Sequence, residues 1–247
     1  LKRLPRQLIK HIGQELQLRQ LPTRSQLAQY EQSGARARHL RRIRDYLGVG
    51  VLTDKDAQWL ASVAESAAAT KESLPDIINV LIEELVRHRF ELPGFTVLQR
   101  IARTARNRVN DTHFRHIGSQ LSADARKNID ELLASAGHET YSAWHTLKRE
   151  PKKPTNKEVR NYLQHVGWLR ALGSELPRPS LPQPKHRQFT LEARALDAGE
   201  MARLKPIKRY ALAVLLIHSQ HSKALDDVAE LYLRLVRGME TGAKKQL

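Results

Sequence analysis

The sequence predicts an all-α protein in which many helices form two or three small domains. Apolar residues recur at three- and four-residue intervals along most of the chain, as on one face of a helix, and signals for helix starts and stops follow at regular distances. No segment shows a convincing alternation of apolar and polar residues, which would indicate a strand. The 247 residues are enough chain for two or three helical domains with hydrophobic cores.

Capping and first-turn residues mark the expected helix starts, which are Thr53, Pro75, Thr96 and Thr155. The clearest is Thr155, whose hydroxyl can accept from the third helical amide while Glu158 reaches back to the Thr155 amide. Helix stops are expected at Gly48, Gly137 and Gly173, because glycine adopts the left-handed conformation at least cost. Two linkers are predicted, at residues 151–154 and in the proline-rich connector at residues 177–184.

Positive charge is concentrated in three blocks of the chain. The formal net charge is +16, and Lys and Arg outnumber Asp and Glu by 11 to 3 in residues 1–50, by 5 to 1 in residues 94–116 and by 8 to 2 in residues 151–190. Such blocks are expected where particular surfaces face phosphate, so nucleic acid is the predicted partner.

Composition disfavours several other functions. The longest apolar run, residues 210–217, is far too short to cross a bilayer, so no membrane partner is expected and the run is read as core or as a helix interface. Without cysteine there are no disulfides, thiolate nucleophiles or Cys-based zinc sites. The carboxylates fall mostly at helix starts or on exposed-looking faces, and no phosphate loop or nucleophile elbow is present, so no catalytic residue and no cofactor is assigned.

The first basic segment, residues 35–48, predicts an amphipathic helix. Leu40, Ile43 and Leu47 share a narrow face, which we expect to dock the helix onto the protein. The arginines of the opposite side are Arg38, Arg41 and Arg42. A guanidinium group suits this position because its planar fork can bind phosphate or the edge of guanine. A merely solvated basic face is the alternative.

The second basic segment, residues 96–110, repeats this design with mixed chemistry. Its apolar side gathers Leu98, Ile101, Ala102, Ala105 and Val109. Its other side gathers Arg100, Arg103, Asn107 and Asn110. Arginine and asparagine on one exposed face can discriminate bases as well as bind the backbone, so we interpret this helix as reading a groove. The alternative is that the face pairs with an acidic neighbour such as Glu83, Glu84 or Glu91.

A third cluster lies around the first linker and the helix that follows, where free amides and lysines can attract phosphate, although Glu158 could occupy that helix end instead. The candidate DNA contacts of all three segments are Arg36, Arg38, Arg41, Arg42, Arg44, Arg100, Arg103, Arg106, Asn107, Arg108, Asn110, Lys152, Lys153, Lys157 and Arg160. Histidine pairs at 113/116 and 218/221 lack a complete ligand set, so a surface or packing role is predicted rather than a metal site.

Three stretches in order and separation resemble the N-terminal half of the Tn3 family of replicative transposases from bacteria. They are RHLRRIRDYLG at residues 38–48, ELPGFTVL at residues 91–98 and KRYAL at residues 208–212. The resemblance covers nearly the whole chain. It implies that residues 1 to about 150 bind the terminal inverted repeats of a transposon and that later helices lead to dimerisation and scaffold parts.

The resemblance implies three domains: a basic helical DNA-binding subdomain at 1–50, a second at 51–150, both with helix-turn-helix-like parts, and a linker with a connector or dimerisation region at 151–247. It also implies a ribonuclease-H-like domain beyond this chain, with an acidic triad that binds Mg²⁺, a homodimer of the full-length protein, and a location at the nucleoid in the bacterial cytoplasm. Because the first methionine is Met201, the chain is expected to be a piece of a longer protein.

Two other functions stay open at this point. A helical protein-interaction module could use its basic faces to dock acidic partner surfaces without reading DNA. RNA binding is less favoured, because aromatic residues, which form stacking platforms for bases, make up only 5% of the chain.

Overall fold

The computed structural model describes residues 6–134 and 142–244, and these residues form twelve helices. The helices are α1 (Arg6–Glu15), α2 (Arg24–Gln32), α3 (Ala35–Leu47), α4 (Asp54–Thr70), α5 (Leu74–Arg87), α6 (Phe95–Ser119), α7 (Ala123–Leu133), α8 (Ala143–Leu147), α9 (Asn156–Gly173), α10 (Gln183–Ala195), α11 (Ala198–Arg203) and α12 (Pro206–Lys244). In this part of the chain the β structure is limited to an isolated bridge between Gly50 and Phe90. The predicted all-α class is confirmed.

The chain forms two compact units that are not separated by a single cut in the sequence. The first unit contains Leu1–Thr53 and Glu84–Leu92, and the second contains Asp54–Glu83 and Pro93–Leu247. Helix α5 contributes residues 74–83 to the second unit and its last turn to the first. The functional division at residues 50 and 150 stays a prediction.

Several expected helix ends are confirmed. Helix α4 begins directly after Thr53, and Pro75 lies in the first turn of α5. Gly48 caps α3 in the left-handed conformation with φ 64°. Gly173 is the last residue of α9, but the left-handed stop predicted there is wrong, because Gly173 has no positive φ and Ser174 caps the helix in the right-handed conformation. Position 137 lies outside the described residues. The start of α6 differs from the prediction, because Gly94 is its N-cap and Thr96 already lies inside the helix.

One of the two hydrogen bonds predicted for the N-terminal cap of α9 is present. The Thr155 hydroxyl accepts from the Glu158 amide at 3.1 Å, as expected. The Glu158 carboxylate does not complete a capping box with Thr155. It accepts instead from the Lys152 amide at 3.2 Å and from the Arg149 guanidinium at 3.1 Å. These bonds hold the preceding linker against the helix start.

The first unit is built from short helices with little core. Helix α3 packs against α2, where the Tyr30 hydroxyl lies 3.1 Å from Nδ1 of His39. Beyond α3, the Gly50 amide donates to the Arg89 carbonyl and the Glu91 amide donates back to Gly50, both at 2.8 Å. This pair of bonds joins the segment after α3 to the segment after α5.

The second unit is organised around α12. Residues 211–217 of this helix are all at most 1% exposed, and α12 packs against α6, α9 and α10. The run is therefore core, one of the two roles predicted for it. Trp144 of α8 is buried at its edge and donates from Nε1 to the Leu196 carbonyl at 3.0 Å. Over the described ranges, no helix has both the length and the apolar character needed to traverse a bilayer.

Candidate nucleic-acid interface

Helix α6 is held by the apolar face that the sequence predicts. Leu98, Ala102 and Ala105 are buried, and Ile101 and Val109 are half-buried. Helix α4 packs along α6 and contributes small side chains of its own, including the fully buried Ala64 and Ala68. Alanine lets two helix backbones approach closely, so α6 is tightly seated by this side.

The opposite side of α6 presents a row of polar side chains to solvent. Arg100, Arg103 and Asn107 are exposed, and their spacing of three and four residues places them on one helical face. None of the three forms a hydrogen bond or ion pair with another residue of the described ranges. The 25-residue helix is about 37 Å long, so the row lies on a straight, rigid support.

Asn110 does not belong to this exposed row, and its predicted place there is wrong. The residue is 9% exposed, its Nδ2 donates to Oε1 of Glu72 at 3.0 Å, and its Oδ1 accepts from Nζ of Lys185 at 2.6 Å. Both partners come from distant segments that cover this turn of α6. A buried side chain whose amide nitrogen and oxygen both bind protein partners is not presented to a base.

Two arginines of α6 are engaged by carboxylates. Nε of Arg106 lies 3.8 Å from Oε1 of Glu72, and its guanidinium donates to the Glu72 carbonyl at 3.4 Å. Arg108 pairs with Glu65 of α4 at 2.5 Å. The acidic partners are thus those of α4 and the following loop, not the predicted group at residues 83–91. The Arg108 side chain is 67% exposed, so its pair contributes little to stability and can exchange for phosphate.

Helix α3 carries four exposed arginines with no ion-pair partner among the described residues. They are Arg36, Arg38, Arg41 and Arg42. The fifth candidate, Arg44, is half-buried and pairs with Glu91 at 2.7 Å. Pairing removes Arg44 from the free cationic surface of this helix.

The expectation that α3 is docked by its apolar stripe is wrong. Ile43 is 52% and Leu47 is 56% exposed, Leu40 is half-buried, and α3 has no buried residue. The helix that packs against it, α2, has nine residues with the sequence RSQLAQYEQ, which offers little apolar surface to cover the stripe. Helix α3 therefore exposes its apolar face as well as its arginines.

The third cluster surrounds the start of α9. Its members, Lys152, Lys153, Lys157 and Arg160, are all exposed and form no ion pair with a described carboxylate. The Glu158 side chain does not occupy the helix end as the alternative allowed, because it accepts from the Lys152 amide of the linker and from the Arg149 guanidinium. The cluster offers exposed point charges beside the start of α9.

Lys185 is a structurally important residue that the sequence reasoning missed. Its side chain is 0% exposed, and Nζ donates to Oε2 of Glu72 at 2.8 Å and to Asn110 at 2.6 Å. The signal was present, because Phe189 and Ala193 follow at intervals of four residues and are buried on the same face of α10. Lys185 thereby connects α10 to α6 at the end of the exposed row.

Three histidines of the two pairs, His113, His218 and His221, are half-buried, whereas His116 is exposed. Burial, followed by the nearby charge of Lys185, lowers the pKa of His113, and burial likewise lowers the pKa of His218. Among the residues that the structure describes, no three or more potential ligands converge on a metal position.

Comparison with known proteins finds similarity along most of the chain. Residues 1–105 match a family model described as a domain of unknown function, DUF4158. The chain is 23% identical over 228 residues to the transposase for transposon Tn3926 of Escherichia coli, covering 90% of this chain and 22% of the relative. It is 24% identical over 218 residues to the transposase for transposon Tn501 of Pseudomonas aeruginosa, covering 87% and 22%. The chain thus spans about a fifth of the length of these curated relatives.

Proposed function

Because this chain is an N-terminal region of the Tn3 transposase type, we propose that it binds duplex DNA and recognises the terminal inverted repeats of a transposon. In this proposal the chain delivers the transposon ends to a catalytic domain that lies in the rest of the protein, where an acidic triad and Mg²⁺ cleave and join strands. The full-length protein acts as a homodimer at the nucleoid in the bacterial cytoplasm.

One observation carries the proposal. Helix α6 is fixed by its buried side and turns Arg100, Arg103 and Asn107 outward, where none of them has a partner among the residues that the structure describes. Arginine can bind guanine through two hydrogen bonds and asparagine can bind adenine in the same way, so the row has the chemistry for direct base readout. A rigid support reduces the entropy lost when such side chains meet a groove.

The other exposed cations have a different part in the proposal. The exposed arginines of α3 and the exposed lysines around the start of α9 are assigned to phosphates, which position the protein on DNA without carrying sequence information. These contacts make binding depend on salt, because each neutralised phosphate releases a counterion.

The proposal predicts that α6 sets sequence preference. Duplexes selected by the chain from a random library are compared with scrambled duplexes by fluorescence anisotropy. The variants Arg100→Ala and Asn107→Ala are expected to lose about tenfold or more of the discrimination between the two DNAs, since a bidentate base contact is worth about 1–3 kcal/mol. Lys152→Ala is expected to weaken binding to both DNAs by the same factor.

Arg170→Ala is the matched control, because Arg170 is an exposed arginine of α9 outside the three clusters. It is expected to leave discrimination unchanged. Selection that yields no consensus, or equal losses on both DNAs for Arg100→Ala, Asn107→Ala and Lys152→Ala, contradicts base readout by α6.

A protein-interaction module is the second candidate, and the exposed apolar side of α3 favours it. Tyr46 is 89% exposed beside Ile43 and Leu47, an unusual amount of uncovered apolar surface for one short helix. This function predicts a stable protein complex without DNA and only modest salt sensitivity on duplexes. One salt titration over selected duplex, scrambled duplex and structured RNA separates the readings.

A further inference from the structure

A polar cavity lies within the second unit, between the proline-rich connector, α10 and α12. Its volume is about 280 Å³, far more than the roughly 10–15 Å³ that a single water needs. The side chains that give it its character are those of Arg178, His186, His218, His221 and Ser222. They come from the connector and the start of α10, which follow each other in the sequence, and from α12 about thirty residues later.

The cavity is cationic and contains no carboxylate among its lining residues. Elsewhere in the described protein, Arg44, Arg106 and Arg108 are each paired with a glutamate, whereas Arg178 has no such partner. The nearby charges that act on His218 are those of Arg178 and His221, both positive or able to become so. With one fixed positive charge and no carboxylate, a site of this composition attracts anions.

The donors around the cavity are not used by the protein. The side chains of Arg178, His186, His221 and Ser222 form no hydrogen bond or ion pair with any other residue in the described ranges. A guanidinium, two imidazoles and a hydroxyl therefore converge on one space with their hydrogen-bonding capacity free.

The cavity wall is fixed by His218. Its Nε2 lies 2.9 Å from the Pro177 carbonyl, and since a carbonyl only accepts, Nε2 carries the proton and donates. This bond ties the connector to α12 at the residue before Arg178, and Pro177 and Pro179 restrict the backbone on both sides. The backbone at Arg178 is thus held beside the cavity by a stiff segment, which lowers the backbone part of the entropy cost of ligand binding, while the Arg178 side chain itself is exposed.

We propose that this cavity binds one phosphate group, with the Arg178 guanidinium as its charged ligand and the His186 ring, the His221 ring and the Ser222 hydroxyl as additional donors. Phosphate has several acceptor oxygens, and two of them can accept parallel hydrogen bonds from the planar guanidinium group of arginine. The same group is presented by the backbone of duplex DNA and by the free ion. The DNA source rests on the proposed function, whereas the phosphate site itself does not.

The test follows the imidazole signals of the whole chain by NMR while inorganic phosphate is added, with sodium chloride at equal ionic strength as the parallel titration. The signals are assigned with His186→Gln and His221→Gln. We expect saturable shifts of these two rings with phosphate and not with chloride, while His116, exposed on α6, stays unchanged. Shifts that fail to saturate, or that chloride reproduces, overturn the proposal.

Arg178→Ala is expected to weaken phosphate binding about tenfold or more, because a charge-assisted hydrogen bond is lost. Arg187→Ala is the matched control: it removes one exposed positive charge from α10 that does not line the cavity. Phosphate affinity is expected to stay within about twofold of the parent in this variant. Equal weakening by the two substitutions overturns the assignment of Arg178.

Adding duplex DNA distinguishes the two sources of phosphate. If the duplex shifts the same rings and inorganic phosphate competes with it, the bound group is a backbone phosphate. If the duplex binds without moving them, the site takes the free ion. A chain that binds phosphate but shows no DNA binding at all rejects the proposed function while leaving the phosphate site intact.

Discussion

At Lys185 a positively charged side chain lies inside the second unit. Its ammonium group has two partners, the Glu72 carboxylate and the Asn110 amide oxygen, at 2.8 and 2.6 Å. A buried ion pair gains little net stability over an apolar pair, but removing one member leaves an uncompensated charge. The network therefore matters most for where α6 and α10 sit relative to each other.

Lys185→Met is expected to lower the free energy of unfolding by about 3 kcal/mol, because Glu72 keeps its charge without its main partner. Adding Glu72→Gln is expected to recover part of the loss, since no unpaired carboxylate is left. Urea denaturation followed by circular dichroism measures both. Lys157→Met, at an exposed lysine of α9, serves as the control with a change below about 0.5 kcal/mol. A Lys185→Met variant as stable as this control contradicts the role given to the network.

Helices α3 and α6 were both expected to bury an apolar face and expose a basic one, but in the structure only α6 buries its apolar face. Helix α6 buries its apolar face against α4, so its polar row is held on a rigid support. Helix α3 leaves its apolar face largely exposed. Four of its five arginines, all but Arg44, have no carboxylate partner among the described residues, so their contribution to DNA binding is expected through charge rather than through fixed base contacts.

The double variant Arg38→Ala with Arg41→Ala tests this at the level of the helix. We expect weaker binding to selected and scrambled duplexes alike, and a slope of log affinity against log salt that is shallower by up to about 2, since each phosphate contact contributes about 0.9. Unfolding should be unaffected, because neither side chain has a partner in the described fold.

Arg170→Ala with Arg203→Ala removes the same charge from exposed positions of α9 and α11 and is the matched control. Its salt slope is expected to stay close to that of the parent chain. A control slope reduced as much as that of the α3 variant means that total charge, and not the surface of α3, governs binding.

For the molecule as a whole, partly buried histidines couple stability to pH. Burial, and then the charge of Arg149, lowers the pKa of His165 from its ordinary value of 6.5, and burial is also the main cause of the lowered pKa of His113 and of His218. The folded chain thus resists protonation that the unfolded chain accepts. The stability that these rings provide is complete above pH 6.5 and is lost as the pH falls toward their folded pKa values.

The free energy of unfolding is expected to decrease between pH 7.5 and pH 5.5, measured by urea denaturation. His165→Phe should reduce this decrease, because His165 is 6% exposed, has a buried Nε2 without a partner and stacks on Trp168 at 5.5 Å, a position that an uncharged ring can fill. His116→Phe, at an exposed site, should keep the pH dependence of the parent. The same pH dependence in both variants contradicts a role for burial.

Local sequence determined the features that depend on neighbours along the chain. Helical periodicity gave the all-α class, and cap chemistry located the starts after Thr53 and Thr155 and the end at Gly48. It also gave the buried side of α6 and the exposed arginines of α3, because the direction of a side chain on a helix follows from its position in the turn. The resemblance to Tn3 transposases, carried by three separated stretches, also rests on the sequence alone.

Tertiary structure alone decided which polar groups are already occupied. Asn110 and Arg106 lie on α6 where periodicity permits exposure, but Glu72 and Lys185 arrive from other segments and bind them. The stripe of α3 needed a facing surface that α2 does not supply, and the Arg178 cavity needs the connector with the start of α10 to meet the distant α12. Partners far apart in sequence are brought together only by packing, and no local pattern encodes their meeting.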